Sequence, residues 1–280
     1  MTVLGILHPG SMGTAVAAQA RGRGVEVLWC PEGRSNASRD RAERAGFSAV
    51  SGIGEMAERA EIILSLCPPA NAEEVAGSVA AHSFSGIYVD ANAVSPASMA
   101  MISAVMMRAD AEVVDGSVIG SPPSAAKTTR LYLSGPGPSV VKVAELFGET
   151  AVDARPLPGG IGRASALKLS YSTFQKTSRV LAAVSYALAR DYGVENELLD
   201  VAKGRTASYL AEIEYIPKVA SRSWRWAPEM REAVSALSET CLPTELAEAA
   251  ATVMDRWADS KDLPLEISEA LGWLHKIPED

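Results

Sequence analysis

Two short stretches hold residues whose types and spacing suit a defined chemistry. The first is Leu7-His8-Pro9-Gly10-Ser11-Met12-Gly13. It follows a short β-branched run, Val3 to Leu7, and opens a helical pattern from Ser11 to Arg23. Glycines between a strand and a helix let backbone N–H groups approach a pyrophosphate, and the positive end of the helix dipole favours the anion. Gly10 and Gly13 stand where such a turn has its second and third glycines, and His8 stands where it has its first. A Gly-x-x-Gly alone is as often a tight bend, so its placement between the first strand and the first helix carries the reading. The second stretch is Trp29-Cys30-Pro31-Glu32-Gly33-Arg34-Ser35, at the end of the next strand pattern. An acidic residue at that strand end suits the ribose hydroxyls of NAD. An arginine with a hydroxyl suits the 2′-phosphate of NADP. Cys30 and Pro31 occupy the acidic place, so Arg34 and Ser35 favour NADP, with Arg39 one turn further on as support. Glu32 keeps the NAD alternative open, and a solvated loop arginine is the plain alternative for Arg34.

The elements that must position these residues alternate. Strand patterns run from Val3 to Leu7, Val25 to Cys30, Glu61 to Leu66, Gly86 to Asp90, Ala111 to Ile119 and Arg130 to Ser134. Between them lie helical patterns from Ser11 to Arg23, Asn36 to Ala45, Asn71 to Ala81 and from Ser95-Pro96 to about Arg108. Proline in the first turn suits that last helix start. Strands alternating with helices imply a mostly parallel, doubly wound sheet covered on both faces, an α/β Rossmann domain. After about residue 160 the period changes. Leu167, Tyr171, Phe174, Leu181, Val184 and Leu188 recur at helical spacing and predict one long amphipathic helix, roughly residues 164 to 191. Beyond it the pattern is all-α, broken at Gly193, Gly204, Pro217, Pro228, Pro243 and Pro264. Trp224, Trp226, Trp257 and Trp273 read as core filling there. The Pro156-Leu157-Pro158-Gly159-Gly160 stretch marks the expected boundary, between a nucleotide domain at 1–160 and a helical domain at 161–280 joined by the long helix.

Composition bounds the function class. The 280 residues include 48% hydrophobic, so the chain folds rather than staying disordered. A net charge of −8 argues against a general nucleic-acid or membrane-surface binder. Cys30, Cys67 and Cys241 are odd in number and far apart, which suits reduced thiols rather than disulfides. His8, His82 and His275 are too scattered for a metal cluster, so no metal is expected. The opening residues show no targeting signal, and the longest apolar stretch, Met99 to Met107, falls far short of the ~20 residues of a membrane span. The expectation is a soluble cytoplasmic protein.

These motifs, taken in order, resemble the β-hydroxyacid dehydrogenase superfamily, which includes 6-phosphogluconate dehydrogenase and 3-hydroxyisobutyrate dehydrogenase. Gly10-Ser11-Met12-Gly13 resembles its nucleotide turn. Ser65-Leu66-Cys67-Pro68-Pro69 resembles the loop that lies along the cofactor, and Asp90-Ala91-Asn92-Ala93-Val94-Ser95-Pro96 the turn beside the nicotinamide ribose. Asp115-Gly116-Ser117-Val118-Ile119-Gly120-Ser121 resembles the substrate-binding segment. Gly162-Arg163-Ala164-Ser165-Ala166-Leu167-Lys168 resembles the start of the long interdomain helix. The resemblance covers nearly all of the first 195 residues. The remainder is similar to a branch with a less characterised helical domain, which Tyr171, Lys176 and the Leu242-Pro243 turn fit. Ile119, Ser121, Ala164 and Ser172 depart from the family pattern and remove groups that would hold a small carboxylate.

The resemblance implies an NADP-dependent oxidoreductase acting on a small molecule. Lys168 is then the general acid and base for the alkoxide that hydride transfer creates or consumes. By itself a helix lysine is most often solvated. Asn92 would orient Lys168 or hydrogen-bond the substrate oxygen, against the simpler role of shaping a turn. His8, Pro9, Gly10, Ser11, Met12, Gly13, Arg34, Ser35, Cys67, Pro68 and Asn92 would line the cofactor. Ser117, Ile119, Gly120, Ser121, Ser172 and Lys176 would line the substrate. An imine reductase on the same scaffold and a non-catalytic NADP-binding scaffold protein are the alternatives. Family members share the helical layer between two subunits, so a homodimer through residues 161–280 is expected.

Overall fold

The computed structural model describes residues 2–204, 209, 212–239, 241–261 and 263–275. It separates into two compact units, Met1–Ser172 and Thr173–Asp280. In the first unit the chain runs β1 (Val3–Ile6), α1 (Ser11–Gly22), β2 (Glu26–Trp29), α2 (Asn36–Arg44), β3 (Ser48–Ala49) and α3 (Ile53–Arg59). It continues through β4 (Ile62–Ser65), α4 (Ala72–Ala80), β5 (Ile87–Asp90), α5 (Pro96–Met107), β6 (Glu112–Ile119), β7 (Thr129–Ser134), α6 (Gly137–Glu145) and β8 (Val152–Pro156). The eight strands form one sheet in the order β3-β2-β1-β4-β5-β6-β7-β8. All neighbours are parallel except β6 and β7.

Both faces of the sheet are covered, which is why its central strands read as continuous apolar runs. Leu4, Ile6, Ile62, Leu64 and Val114 feed one core, and the intervening Ile63, Tyr88 and Val113 feed the other. The order 3-2-1-4 reverses between β1 and β4. A sheet of this kind binds ligands at the carboxyl ends of its strands, beside that reversal.

Four short elements lie outside the sequence prediction. β3 and β8 are edge strands, too short or too polar to show alternation. α3 contains Gly54. α6 starts inside Gly135-Pro136-Gly137-Pro138, a cluster that reads as a loop but places proline in a helix's first turn.

The long helix α7 spans Arg163–Asp191, close to its predicted range. The first unit includes its opening turns as far as Ser172. The physical reason is that the sheet itself caps this helix, as described below. In the second unit follow α8 (Glu195–Lys203), α9 (Ile216–Glu239), α10 (Glu245–Asp255) and α11 (Ile267–Trp273). Pro228, expected as a break, lies inside α9. Trp257 fills a small core with Ala220 and Ala270, and its Nε1 donates to the Ala270 carbonyl at 2.8 Å. Trp224 does not: it is exposed, and the Lys261 ammonium sits 4.2 Å from its ring centre. Among the described residues no helix is long and apolar enough to cross a membrane.

Candidate active site

The predicted cofactor residues gather at the carboxyl edge of the parallel sheet. β1 ends at Ile6 and leads into the glycine turn, where α1 has Gly10 as its N-cap and no side chain capping it. A Cβ on Gly13 would stand 2.4 Å from the His8 carbonyl oxygen, so only glycine lets α1 pack against the end of β1. A Cβ on Gly10 would meet nothing within 4 Å. That position is bare toward the open side, as a closely approaching ligand requires. His8 is not among the residues with positive φ, so its backbone tolerates a side chain where the motif usually has glycine.

Beside this turn lies a cavity of about 380 Å³ lined by His8, Cys30, Glu32, Arg34, Asn71 and Glu74, among others. Burial and the Arg34 guanidinium hold the His8 imidazole down at about 4, so it is neutral at pH 7. Its Nδ1 is buried without a partner. Arg34 donates through Nε to the Glu32 carbonyl at 3.3 Å. Ser35 caps α2, accepting from Ser38 N at 3.3 Å. A residue the sequence reading passed over ties this corner together. Arg41 donates through Nε to the Pro9 carbonyl at 3.3 Å and through Nη2 to Ser38 Oγ at 3.0 Å. As one of many arginines on a polar helix, it carried no local signal.

The loops after β4 and β5 are joined by Asn92, which is 2% exposed. Asn92 Oδ1 accepts from Cys67 N at 2.6 Å, and Nδ2 donates to Ser65 Oγ at 3.1 Å and to Asp90 Oδ2 at 3.0 Å. The backbone N of Asn92 also donates to Asp90 Oδ1 at 3.1 Å. The amide's oxygen and both its protons are therefore engaged within the sheet edge. With these contacts Asn92 shapes the turn that sets Cys67 and Pro68. Burial is the largest cause raising the Cys67 thiol above its ordinary value, which keeps it protonated.

The substrate segment is the end of β6. Ser117 is fully buried and its Oγ has no partner. Ile119 is half-buried, Gly120 has φ +139, and the Ser121 carbonyl accepts from Thr129 Oγ1. Lys168, in the second turn of α7, is half-buried and its Nζ donates to the Val118 carbonyl. The structure thus brings Lys168 to the strand that carries Ser117, Ile119 and Gly120. Ser172 follows one turn later on α7, at the end of the first unit. The side chain of Lys176 lies outside the described residues. Among the described residues no group of His, Cys, Asp or Glu is arranged to hold a metal ion.

Residues 3–157 match the family described as the NAD binding domain of 6-phosphogluconate dehydrogenase. The chain belongs to this family. Residues 189–257 match a second family, described as a domain of unknown function. An uncharacterized 28.5 kDa protein from Methanothermus fervidus is 27% identical over 177 residues, covering 63% of this chain and 67% of that protein. Among solved structures, 3-hydroxyisobutyrate dehydrogenase from Mycobacterium tuberculosis has a TM-score of 0.64 at 19% identity, over 99% of this chain and 100% of that one. A reductive aminase from Aspergillus terreus, solved with NADPH and ethyl levulinate, has a TM-score of 0.74 at 16% identity, over 98% and 100%. At these identities the two structures share the fold.

The 6-phosphogluconate dehydrogenase-type domain supports an NAD(P)-dependent oxidoreductase with a nicotinamide cofactor. The residues present fit that group. The uncapped N-terminus of α1, the bare Gly10 and the partnerless His8 Nδ1 all lie at the turn where this family binds a dinucleotide.

Proposed function

We propose that the chain is an NADP(H)-dependent oxidoreductase that moves a hydride between nicotinamide and a small β-hydroxy acid or related carbonyl compound. Lys168 serves as the general acid and base. The observation that supports this reading is the reach of Lys168 Nζ to the Val118 carbonyl, at the carboxyl end of the strand bearing the substrate segment. Bound nicotinamide supplies or accepts the hydride. Lys168 gives a proton to the nascent alkoxide in the reducing direction and removes it from the hydroxyl in the other. His8 to Gly13 bind the pyrophosphate through backbone N–H groups, Arg34 and Ser35 take the 2′-phosphate, and Cys67 and Pro68 lie along the cofactor. Ser117, Ile119, Gly120, Ser121 and Ser172 line the substrate. Turnover of a panel of small β-hydroxy acids with NADP tests the reading; no turnover with any of them overturns it.

A second reading is an imine reductase. Ile119 favours it, because an apolar side chain at the end of β6 replaces a hydroxyl that would hold a carboxylate. A panel of cyclic imines with NADPH separates the two. The Lys168 ammonium, which repels an iminium, favours the first.

The reading includes a homodimer formed through the helical C-terminal part. Its support is the apolar stripe of α7, where Leu167, Tyr171 and Leu181 are 37%, 38% and 47% exposed. A cavity of about 760 Å³ in the second unit, lined by Leu188, Tyr192, Leu198, Val201 and Met230 among others, adds to it. Sedimentation of a monomer at micromolar concentration would refute the dimer.

A further inference from the structure

A helix normally satisfies its first N–H groups with a side chain from its own N-cap. The start of α7 is held from the sheet instead. The Asp115 carboxylate, on β6 and fully buried, accepts from Gly162 N at 2.9 Å, Ser165 N at 3.1 Å and Ser165 Oγ at 2.7 Å. It also accepts from Ser134 Oγ at 3.0 Å, and Ser134 Oγ accepts from Ala164 N at 3.1 Å. Asp115 and Ser134 are register partners across β6 and β7. One cross-strand pair therefore takes up three amides around the first turn of α7. A negative carboxylate is also the charge that the positive end of a helix dipole favours. Gly162 completes the junction. Its φ is +95 and a Cβ would stand 3.2 Å from Pro96 Cβ, so the chain enters the helix there only as glycine.

Lys168 follows Ser165 by about one helical turn, and its Nζ meets the carbonyl of Val118, on the same strand as Asp115. β6 thus grips α7 at two points. The first is the carboxylate at the helix start, and the second is the carbonyl that receives the lysine. A buried carboxylate with four donors is costly to disturb, because each amide it releases would stay unpaired in the interior.

We propose that Asp115 is a positioning residue for Lys168, fixing the start of α7 so that the ammonium lands at the carboxyl end of β6. The proposal rests on the reading of Lys168 as the proton donor and acceptor, and its test needs no turnover. Asp115→Ala strands Gly162 N and Ser165 N. Asp115→Asn retains an oxygen for these amides, while its NH2 can donate to Ser165 Oγ, which rotates to accept.

The experiment labels lysines by reductive methylation with 13C-formaldehyde and follows the Lys168 signal by NMR, assigned with Lys168→Arg. Hydrogen exchange of residues 162–168 and thermal melting are measured alongside. In Asp115→Ala the Lys168 signal is expected to move to the position of a solvent-exposed lysine, and exchange at 162–168 to rise about tenfold or more. Asp115→Asn should restore both. A carboxylate that only adds stability would lower the melting temperature and leave the Lys168 signal of the folded protein in place; that result overturns the proposal. If Asp115→Ala does not fold, Ser134→Ala carries the test, since it removes the acceptor of Ala164 N and one donor to Asp115. A smaller shift in the same direction supports the proposal, and an unmoved signal overturns it. Should the signal move while Lys168→Ala keeps full turnover, the positioning stands and the catalytic reading of Lys168 fails.

Discussion

Asp90 on β5 and Asp115 on β6 are register partners, and both are fully buried. Their carboxylates serve different parts of the candidate site. Asp90 accepts from the backbone and side chain of Asn92 and so shapes the loops beside the cofactor turn. Asp115 accepts from the start of α7 and so holds the helix that carries Lys168. Burial, with a smaller effect from Asp115, pushes Asp90 up to about 6.

Asp90 and His8 should give opposite pH dependences of stability. The folded pKa of Asp90 is raised above its ordinary 3.8, so the folded chain takes up this proton first, and stability from this group grows as pH falls from about 6 to 4. His8 is depressed from 6.5 to about 4, so the unfolded chain protonates first, and stability from this group is lost as pH falls through that window. The two offset in the native protein. Melting at about pH 4.5 and about pH 7 separates them. Relative to the native chain, His8→Gln should gain melting temperature on acidification and Asp90→Asn should lose it. Identical pH responses in all three proteins would show that neither group titrates as its burial implies.

Replacing Lys168 should strike the chemical step. Removal of a general acid and base costs about 100-fold to 10,000-fold in kcat. Lys168→Ala is expected to lose activity in that range while binding NADPH as tightly as the native chain, read by quenching of tryptophan fluorescence. Retained turnover would remove Lys168 from the reaction.

Arg34→Ala should weaken NADPH relative to NADH. A charge-assisted bond to a phosphate contributes about 1.5–3 kcal/mol, or roughly a tenfold to hundredfold change in Kd. The check is a titration with both cofactors. Equal weakening of the two would mean that Arg34 does not read the 2′-phosphate, and Glu32 in the same cavity would then favour NAD.

Gly13→Ala should destabilise the fold itself. Its Cβ would lie 2.4 Å from the His8 carbonyl oxygen, a backbone atom that cannot swing aside. Overpacking of this kind costs about 1–3 kcal/mol, visible as a melting temperature lower by several degrees. Gly10→Ala meets no protein atom within 4 Å. It should melt like the native chain but bind NADPH more weakly, because the methyl occupies the approach to the turn.

The sequence by itself determined the elements whose signals are local. Leu7 to Gly13 announced a strand, a tight turn and a helix start. Alternating patterns implied the parallel sheet, and a stripe of apolar residues set α7 to within a residue of its observed start. Arg34 and Ser35 were legible because they follow a strand end at a known offset. Tertiary structure alone decided how these parts are held. An asparagine whose amide is engaged by Cys67, Ser65 and Asp90 reads the same, in sequence, as one that faces a substrate. An aspartate that caps a helix some 50 residues away carries no mark within the span that periodicity covers. The apolar stripe of α7 was read as one face of an amphipathic helix. Its exposure emerges only when the chain's own layers are in place, because amphipathicity tells which face seeks cover and not what covers it.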